Sequence, residues 1–235
     1  MEKLIFPLWK PEAQSGDQFR DTLLAQRENL SALQGVRAGR LLVVDSDVEL
    51  CAHRRQDHSK PVPDGILTLW MNRAEEGGAV GEFLAPLVNR FTSYLATESE
   101  PLINEEHAAK PGERVPGFCH VVFLQRPPWL SEPQWLEIWH GRHTQVAIDI
   151  QSTFAYRQNV LVRSLSYAAP PLDAMIEENF PAAAMTSDYA FYDVEEGDDA
   201  AVAERGQQML DSVARFIDFD KIDVIPTSEY TLKLL

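Results

Sequence analysis

The chain has 235 residues, of which 45% are hydrophobic and 24% are charged, and its formal net charge is −15. This length is sufficient to bury a core in one large domain or two small ones. An acidic surface repels phosphate backbones and anionic lipid headgroups, so we expect neither nucleic-acid binding nor membrane binding. No apolar run approaches the roughly 20 residues that cross a bilayer.

The cysteine content and the N-terminal residues bear on the cellular compartment. Cys51 and Cys119 are too few for a disulfide framework and lack metal-ligand spacing. Cys119 lies in an apolar run, where a buried thiol is expected. The first residues show no signal-peptide pattern, and free thiols fit a reducing compartment. We therefore expect a cytoplasmic protein.

The first half of the chain predicts the order strand, helix, strand, strand, helix, strand. Ser15 and Gln18 form the pattern of a capping box, and the helix that follows ends at Gly35. Residues 47–63 are polar and predict a loop. The expected strands are 4–9, 36–45, 66–71 and 91–103, and the second expected helix is 75–89.

After a polar linker over 105–116, the same order repeats. Ser131 and Gln134 form a second capping box, with Pro133 in the first helical turn. The helix that they begin is expected to run to about Ile150. The other expected elements are strands over 118–124, 154–165, 188–194 and 224–234, and a helix over 198–216.

Each half therefore predicts a ferredoxin-like β-α-β-β-α-β unit, the first over 1–110 and the second over 117–235. A four-stranded sheet with helices on one face leaves its other face bare, and two such sheets can cover each other by closing into a barrel. The predicted fold is α+β, with two tandem halves forming a dimeric α+β barrel within one chain. One irregular α+β domain is the alternative. The chain can build the barrel alone, and assembly into a homo-oligomer through its outer surfaces stays open.

The segment from Gly117 to Arg163 resembles the EthD family. It has an apolar strand, a turn and a capping box, and then the helical pattern Trp135-x-x-x-Trp139-x-x-x-His143. The match covers about a fifth of the chain. Thr144 stands close to the position where the family often has proline, and the first half has no copy of the pattern. The resemblance implies the dimeric α+β barrel fold, whose members include cofactor-free monooxygenases, polyketide cyclases, dehydratases and haem enzymes.

The helical pattern also suggests a site. Trp135, Trp139, His143 and Ala147 are four residues apart and lie on one stripe of the helix. The two tryptophans are expected to form an apolar wall that binds a substrate, with His143 as the catalytic acid or base. The alternative is that His143 only makes a hydrogen bond inside a packed interface between helix and sheet.

Four further residues are candidates. Tyr156, on the next strand, is a second catalytic candidate that could donate a hydrogen bond to a substrate carbonyl, or it could be a core aromatic. Arg142 could bind an acidic group of the substrate or pair with an acidic neighbour. Trp129 could cover the pocket or pack on its own helix. Tyr189 is a weaker candidate for substrate binding.

No metal site and no cofactor are expected. His53 and His58 are five residues apart, and the neighbouring cations Arg54, Arg55 and Lys60 disfavour a divalent metal. The sequence has no phosphate-binding loop and no dinucleotide fingerprint. A haem ligated by His143 is the one cofactor that stays open.

The leading hypothesis is an EthD-like enzyme that acts on a small, largely apolar or aromatic molecule. Its chemistry would be proton transfer, of the dehydratase or cyclase type, or cofactor-free oxidation. One alternative is a non-catalytic binding or accessory protein of a degradation or biosynthesis pathway. A haem-binding barrel protein is another.

Overall fold

The computed structural model describes residues 1–234, and its strands form one sheet that closes into a barrel. The strand order is β3-β2-β9-β6-β8-β7-β5-β1, and β1 pairs in turn with β3, so that eight strands complete the ring. The short β4 also pairs with β1, in line with β5. The strands are β1 (Glu2–Trp9), β2 (Val36–Val43), β3 (Gly65–Met71), β4 (Arg90–Phe91), β5 (Tyr94–Leu102), β6 (Phe118–Leu124), β7 (Ala155–Ser164), β8 (Ala174–Phe180) and β9 (Ile222–Lys233).

The two halves of the chain have the same strand order. In the first half the strands lie in the order β2-β3-β1-β5, and in the second half they lie in the order β7-β8-β6-β9. Each set follows the antiparallel ferredoxin-like arrangement, in which the first and third strands are central. The ladders β2–β9 and β5–β7 join the halves at both edges. The predicted fold, two tandem ferredoxin-like units closed into one barrel, is confirmed.

Helices cover the outside of the barrel. Both predicted capping boxes are present, and at the first one the Gln18 amide donates to Ser15 Oγ over 3.1 Å. No helix within residues 1–234 combines the length and the apolar character needed to cross a membrane. The helices are α1 (Gly16–Ala25), α2 (Arg27–Ser31), α3 (Gly77–Leu84), α4 (Glu132–Ile138), α5 (Thr144–Ile150), α6 (Asp188–Phe191) and α7 (Asp199–Val213).

One predicted strand was wrong. The third strand of the second half is Ala174–Phe180, whereas the expected segment 188–194 begins with the short helix α6, capped by Ser187. The pattern of β8 was hidden because the inward-facing positions of this strand include Glu177 and Asn179. A strand with polar residues on its buried face does not show the usual alternation.

The barrel interior is apolar toward one end and charged toward the other. Cys119 lies inside the barrel and is buried as predicted, and burial, together with the charges of Glu229 and Glu177, raises the pKa of its thiol. At the charged end, Glu177 accepts hydrogen bonds from Lys3, Arg40 and Arg157. The first two cations belong to the first half of the chain and Arg157 to the second, so the network ties the halves together inside the barrel.

Candidate functional site

The second half of the chain contains a cavity of about 420 Å³ between the outer face of its sheet, the helical turn that carries His143, and the helix α7. We call it the second-half cavity. Most of its wall is apolar and comes from β6, β8, β9 and α7. Its polar and titratable residues are His53, Arg54, Gln56, His120, His143, Gln151, Tyr156, Glu178, Asp188 and Tyr192.

Three titratable side chains of the cavity form a row across neighbouring strands. His120 on β6 is the direct partner of Glu178 on β8, and Glu178 is the partner of Tyr156 on β7. Side chains at directly paired positions of an antiparallel sheet have their Cβ atoms about 5 Å apart and share one face. The sheet therefore brings an imidazole, a carboxyl group and a phenol together on one wall.

Glu178 is the residue of the cavity that is best suited to acid–base chemistry. Within residues 1–234 its carboxyl group makes no hydrogen bond or ion pair with the protein. Burial in the apolar wall raises its pKa from 4.5 to about 7. A carboxyl group with such a pKa exchanges a proton readily at neutral pH, as a general base or acid requires.

The two buried histidines of the cavity, His120 and His143, are neutral at pH 7. Burial lowers the pKa of His120 to about 3 and that of His143 to about 4. His143 Nδ1 lies 3.0 Å from the hydroxyl oxygen of Ser212, which fixes the ring. His120 is 8% exposed, and its Nε2 is buried without a hydrogen-bond partner. A bound molecule could satisfy that nitrogen.

Tyr156 lines the cavity and is fully buried. Its hydroxyl oxygen accepts a hydrogen bond from Trp139 Nε1 over 3.2 Å, which leaves its own hydrogen available for donation. Burial, followed by the nearby charge of Glu178, raises the pKa of this phenol, so it stays protonated at neutral pH.

The two tryptophans of the helical stripe support the cavity from behind. Trp135, Trp139, His143 and Ala147 are all buried, as the spacing predicts. Trp135 Nε1 donates to the Phe216 carbonyl, and the Trp139 ring stacks on Phe216 at 6.4 Å between centroids. Neither tryptophan contributes to the lining, whereas Phe216 does. Their expected role as a substrate-contacting wall is therefore replaced by a supporting role.

The helix that carries His143 is not a regular α-helix throughout. Between α4 and α5, residues Trp139–His143 form a π-helical turn. The Thr144 amide and its hydroxyl group both donate to the Trp139 carbonyl. Such turns add a residue to the helical repeat and occur often at functional sites. Here the turn coincides with the segment that places His143 in the cavity wall.

Three residues expected to bind the substrate lie away from the cavity. Trp129 is 65% exposed at the surface. Arg142 is also exposed and pairs with Glu137 at 2.6 Å, the acidic-neighbour alternative. Tyr189 donates its hydroxyl hydrogen to Asp199, while the adjacent Asp188 lines the cavity instead. None of these three side chains lines the second-half cavity.

Sequence reasoning missed Glu178 and His120. Each is a titratable residue at an outward position of a largely apolar strand, and such an interruption is the signal that could have singled them out. Glu178 was missed because the third strand of the second half was predicted at 188–194 and not at β8. His120 was seen only as part of an apolar run.

The first half contributes the mouth of the cavity. A 3₁₀ helix, Ser46–Arg54, lies in the region that was predicted to be a loop. Arg54 donates to Asp188 Oδ1 over 2.7 Å, and its guanidinium lies 4.2 Å from the centroid of Phe191. Gln56 forms a β-bridge with Val224. The cavity is thus completed by both halves of the chain.

The lining does not match a haem site. A haem brings two propionates, which need cationic partners, whereas the only arginine of the lining, Arg54, is already paired with Asp188. The unneutralised Glu178 adds further negative charge. Within the described residues, no group of three or more His, Cys, Asp or Glu side chains could hold a metal ion.

Comparisons with known proteins support the fold. No protein-family model matches the chain, and no curated protein sequence matches it. An anthrone oxidase-like protein of known structure superposes with a TM-score of 0.57 at 9% identity, over 98% of this chain and 91% of the other. A monooxygenase candidate from Fusobacterium nucleatum gives a TM-score of 0.49 at 8% identity, over 99% and 92% of the two chains.

A chlorite dismutase candidate gives a TM-score of 0.44 at 12% identity, over 98% of this chain and 95% of the other. Membership of the EthD family stays a prediction from the Trp135–His143 pattern. The architecture itself is established by the strand order, the closure of the ring and the superposition on the anthrone oxidase-like protein. The chain has the dimeric α+β barrel fold, assembled from two ferredoxin-like halves of a single polypeptide.

Proposed function

We propose that the second-half cavity is the active site of an EthD-like enzyme that removes a proton from a small, largely apolar or aromatic molecule. The observation that carries this proposal is Glu178, an unpaired carboxyl group in an apolar wall with a pKa near 7. A base of this kind needs an acidic C–H or O–H bond in its substrate. General-base catalysis by one positioned group contributes about 10²–10⁴-fold in rate.

The neighbouring groups suit the anion that proton removal creates. Tyr156 has a hydroxyl hydrogen to donate, and His143, held by Ser212, presents a neutral ring to the cavity. Neutral donors can stabilise an enolate or phenolate oxygen without themselves being ionised. His143 therefore serves as a hydrogen-bonding group in this proposal, and Glu178 takes the role of the base.

The carbanion or phenolate has two fates that fit the site. It can be reprotonated or eliminate a leaving group, which is the dehydratase or cyclase type of chemistry. It can also react with O₂ without a cofactor. The likeness to an anthrone oxidase-like protein favours an aromatic ketone with an acidic C–H bond as the first compound to test. The oxidation balances as anthrone plus O₂ giving anthraquinone plus water.

The test follows proton removal directly. Wild-type protein is incubated with anthrone in buffered D₂O under nitrogen, and loss of the acidic C–H signal is followed by NMR. O₂ consumption is measured separately in air. We expect exchange to be catalysed by the wild type and to fall by about 10²-fold or more in Glu178→Gln. Glu137→Gln, which changes an exposed carboxylate outside the cavity, is the matched control.

The outcomes separate the alternatives. Exchange without O₂ consumption supports the proton-transfer form, and both together support the oxidase form. Exchange that is equally fast in Glu178→Gln would contradict the assignment of the base. Saturable binding of anthrone with neither activity would favour the non-catalytic binding or accessory protein.

A further inference from the structure

The first half of the chain contains a second cavity, of about 490 Å³, on the outer face of its sheet beneath α3. We call it the first-half cavity. Its apolar wall includes Leu4 and Phe6 of β1, Phe91 of β4 and Leu165, which follows β7. This cavity shares no lining residue with the second-half cavity.

The pairing registers of the two halves show what this cavity lacks. The central ladders, β1–β3 in the first half and β6–β8 in the second, each have seven residue pairs. The first pair is Glu2–Met71 in one ladder and Phe118–Phe180 in the other. The pair that corresponds to His120–Glu178 is Leu4–Leu69. The first half thus has two leucines where the second half has an imidazole and a carboxyl group. Its cavity is suited to binding and carries no acid–base row.

Glycines of α3 account for the open space. A Cβ atom on Gly77 would lie 2.7 Å from Leu4 Cδ2, so this helix approaches the sheet closely at that point. Gly78 also lines the cavity, and a Cβ atom there would have no heavy atom within 4 Å. Gly78 is exposed, so the small helix residue there leaves the mouth of the cavity open.

The charged residues of the lining are one cation and one carboxylate. Arg163 of β7 is exposed and reaches this cavity from the second half, and its guanidinium makes no hydrogen bond or ion pair within residues 1–234. Glu75 is the other charged residue of the lining and is exposed. The two do not pair with each other. A free guanidinium at the edge of an apolar cavity binds a carboxylate in a bidentate manner.

We propose that the first-half cavity is a second, non-catalytic site that binds an apolar molecule with a carboxylate head, with the apolar part beneath α3 and the head on Arg163. The inference is independent of the reaction proposed for the second-half cavity. It assigns a ligand class to the half of the molecule that has no catalytic row. It also explains why Arg163 is contributed by the opposite half: an occupied site would contact both halves of the barrel.

Decanoate is the probe for this site, with 1-decanol as its uncharged counterpart, and binding is measured by isothermal titration calorimetry on the full chain. We expect one equivalent of decanoate to bind per chain. Arg163→Gln should weaken the binding of decanoate by about 10-fold or more, because charge-assisted hydrogen bonds are lost. The affinity for 1-decanol should be unchanged. Gly78→Leu should weaken the binding of both compounds, since the new side chain enters the cavity.

Three control variants make the result decisive. Arg215→Gln removes an exposed arginine outside both cavities and should bind decanoate like the wild type. Glu75→Gln should not weaken the binding of decanoate, since it removes a carboxylate that repels the carboxylate of the ligand. Glu137→Gln should have no effect, because Glu137 is exposed outside both cavities. The proposal is overturned if wild-type protein shows no saturable decanoate binding, or if Arg163→Gln or Gly78→Leu binds decanoate with unchanged affinity.

Discussion

Glu177 and Glu178 are consecutive residues of β8 that face opposite sides of the barrel wall. Glu177 lies inside, where Lys3, Arg40 and Arg157 surround it. Although its own burial opposes this, the three cations lower the pKa of Glu177. Glu178 lies outside in a largely apolar cavity where no cation pairs with it, and burial raises its pKa to about 7. Alternation along one strand thus produces a structural carboxylate beside a reactive one.

Glu178→Gln is expected to stabilise the protein above neutral pH. The carboxyl group has a higher pKa in the folded chain than the ordinary value of 4.5, so the folded state binds the proton more tightly. The stability that this carboxyl group contributes is present in full below pH 4.5 and is lost as pH rises through about 7. The variant lacks this loss, which is at most about 3 kcal/mol. Urea unfolding of both proteins at pH 5 and pH 8 measures the difference, and equal pH dependence would contradict the raised pKa.

Glu177→Gln is expected to have the opposite effect. Glu177 is fully buried, and removing its charge leaves three cations without a shared partner inside the barrel. Breaking such a buried network costs about 3–5 kcal/mol in unfolding free energy. Glu178→Gln is the matched control, since it makes the same chemical change one residue away. A loss below 1 kcal/mol in urea unfolding at pH 7.5 would show that the network contributes little.

His120→Phe is expected to reduce the sensitivity of the fold to acid. The His120 pKa is about 3 in the folded chain against 6.5 in model compounds, so the unfolded state binds the proton first. Stability from this residue is present above pH 6.5 and is lost as pH falls, by about 2 kcal/mol at pH 5. Phe118, Phe180 and Phe191 surround the ring and can accommodate an aromatic replacement.

The comparison for His120→Phe is the change in unfolding free energy between pH 7.5 and pH 5, because that difference cancels any packing cost of the larger ring. His58→Gln serves as control, since His58 is exposed on a loop of the first half. If wild type and His120→Phe lose the same amount of stability between these two pH values, His120 is already protonated in the folded protein.

The sequence was sufficient for the fold and for part of the site. Two capping boxes, at Ser15 and Ser131, located the first helix of each half, and the repeated order of elements implied the barrel. His143 and Tyr156 were found because a helical stripe and the next strand pointed to one face. Glu178 could not be found by pattern. Its importance depends on burial without a cation paired to it, which is a property of three-dimensional packing.

The polar interior of the barrel explains the main error in a similar way. Strand prediction assumes that the buried face is apolar, and β8 has Glu177 and Asn179 on that face. Their partners, Arg157 on β7 and Glu229 on β9, are distant in the sequence. Only the closed ring makes these positions compatible with burial, so no local pattern could reveal the strand.

Tyr156→Phe separates the supporting role of the tyrosine from its proposed catalytic role. The change removes the acceptor of Trp139 Nε1, which is fully buried, and an unpaired buried donor costs about 1–3 kcal/mol. Tyr94→Phe is the matched control. Tyr94 donates to the Pro170 carbonyl over 2.8 Å inside the barrel, away from the second-half cavity. Both variants should therefore lose stability in urea unfolding.

Only Tyr156→Phe should slow deuterium exchange into anthrone, by about 10-fold or more, because it alone removes a donor to the developing oxyanion. The rate is compared at saturating anthrone and at a temperature where both variants are folded by circular dichroism. Equal exchange rates in the two variants would assign Tyr156 to support of Trp139 alone. The stabilisation of the oxyanion would then rest on His143 and His120.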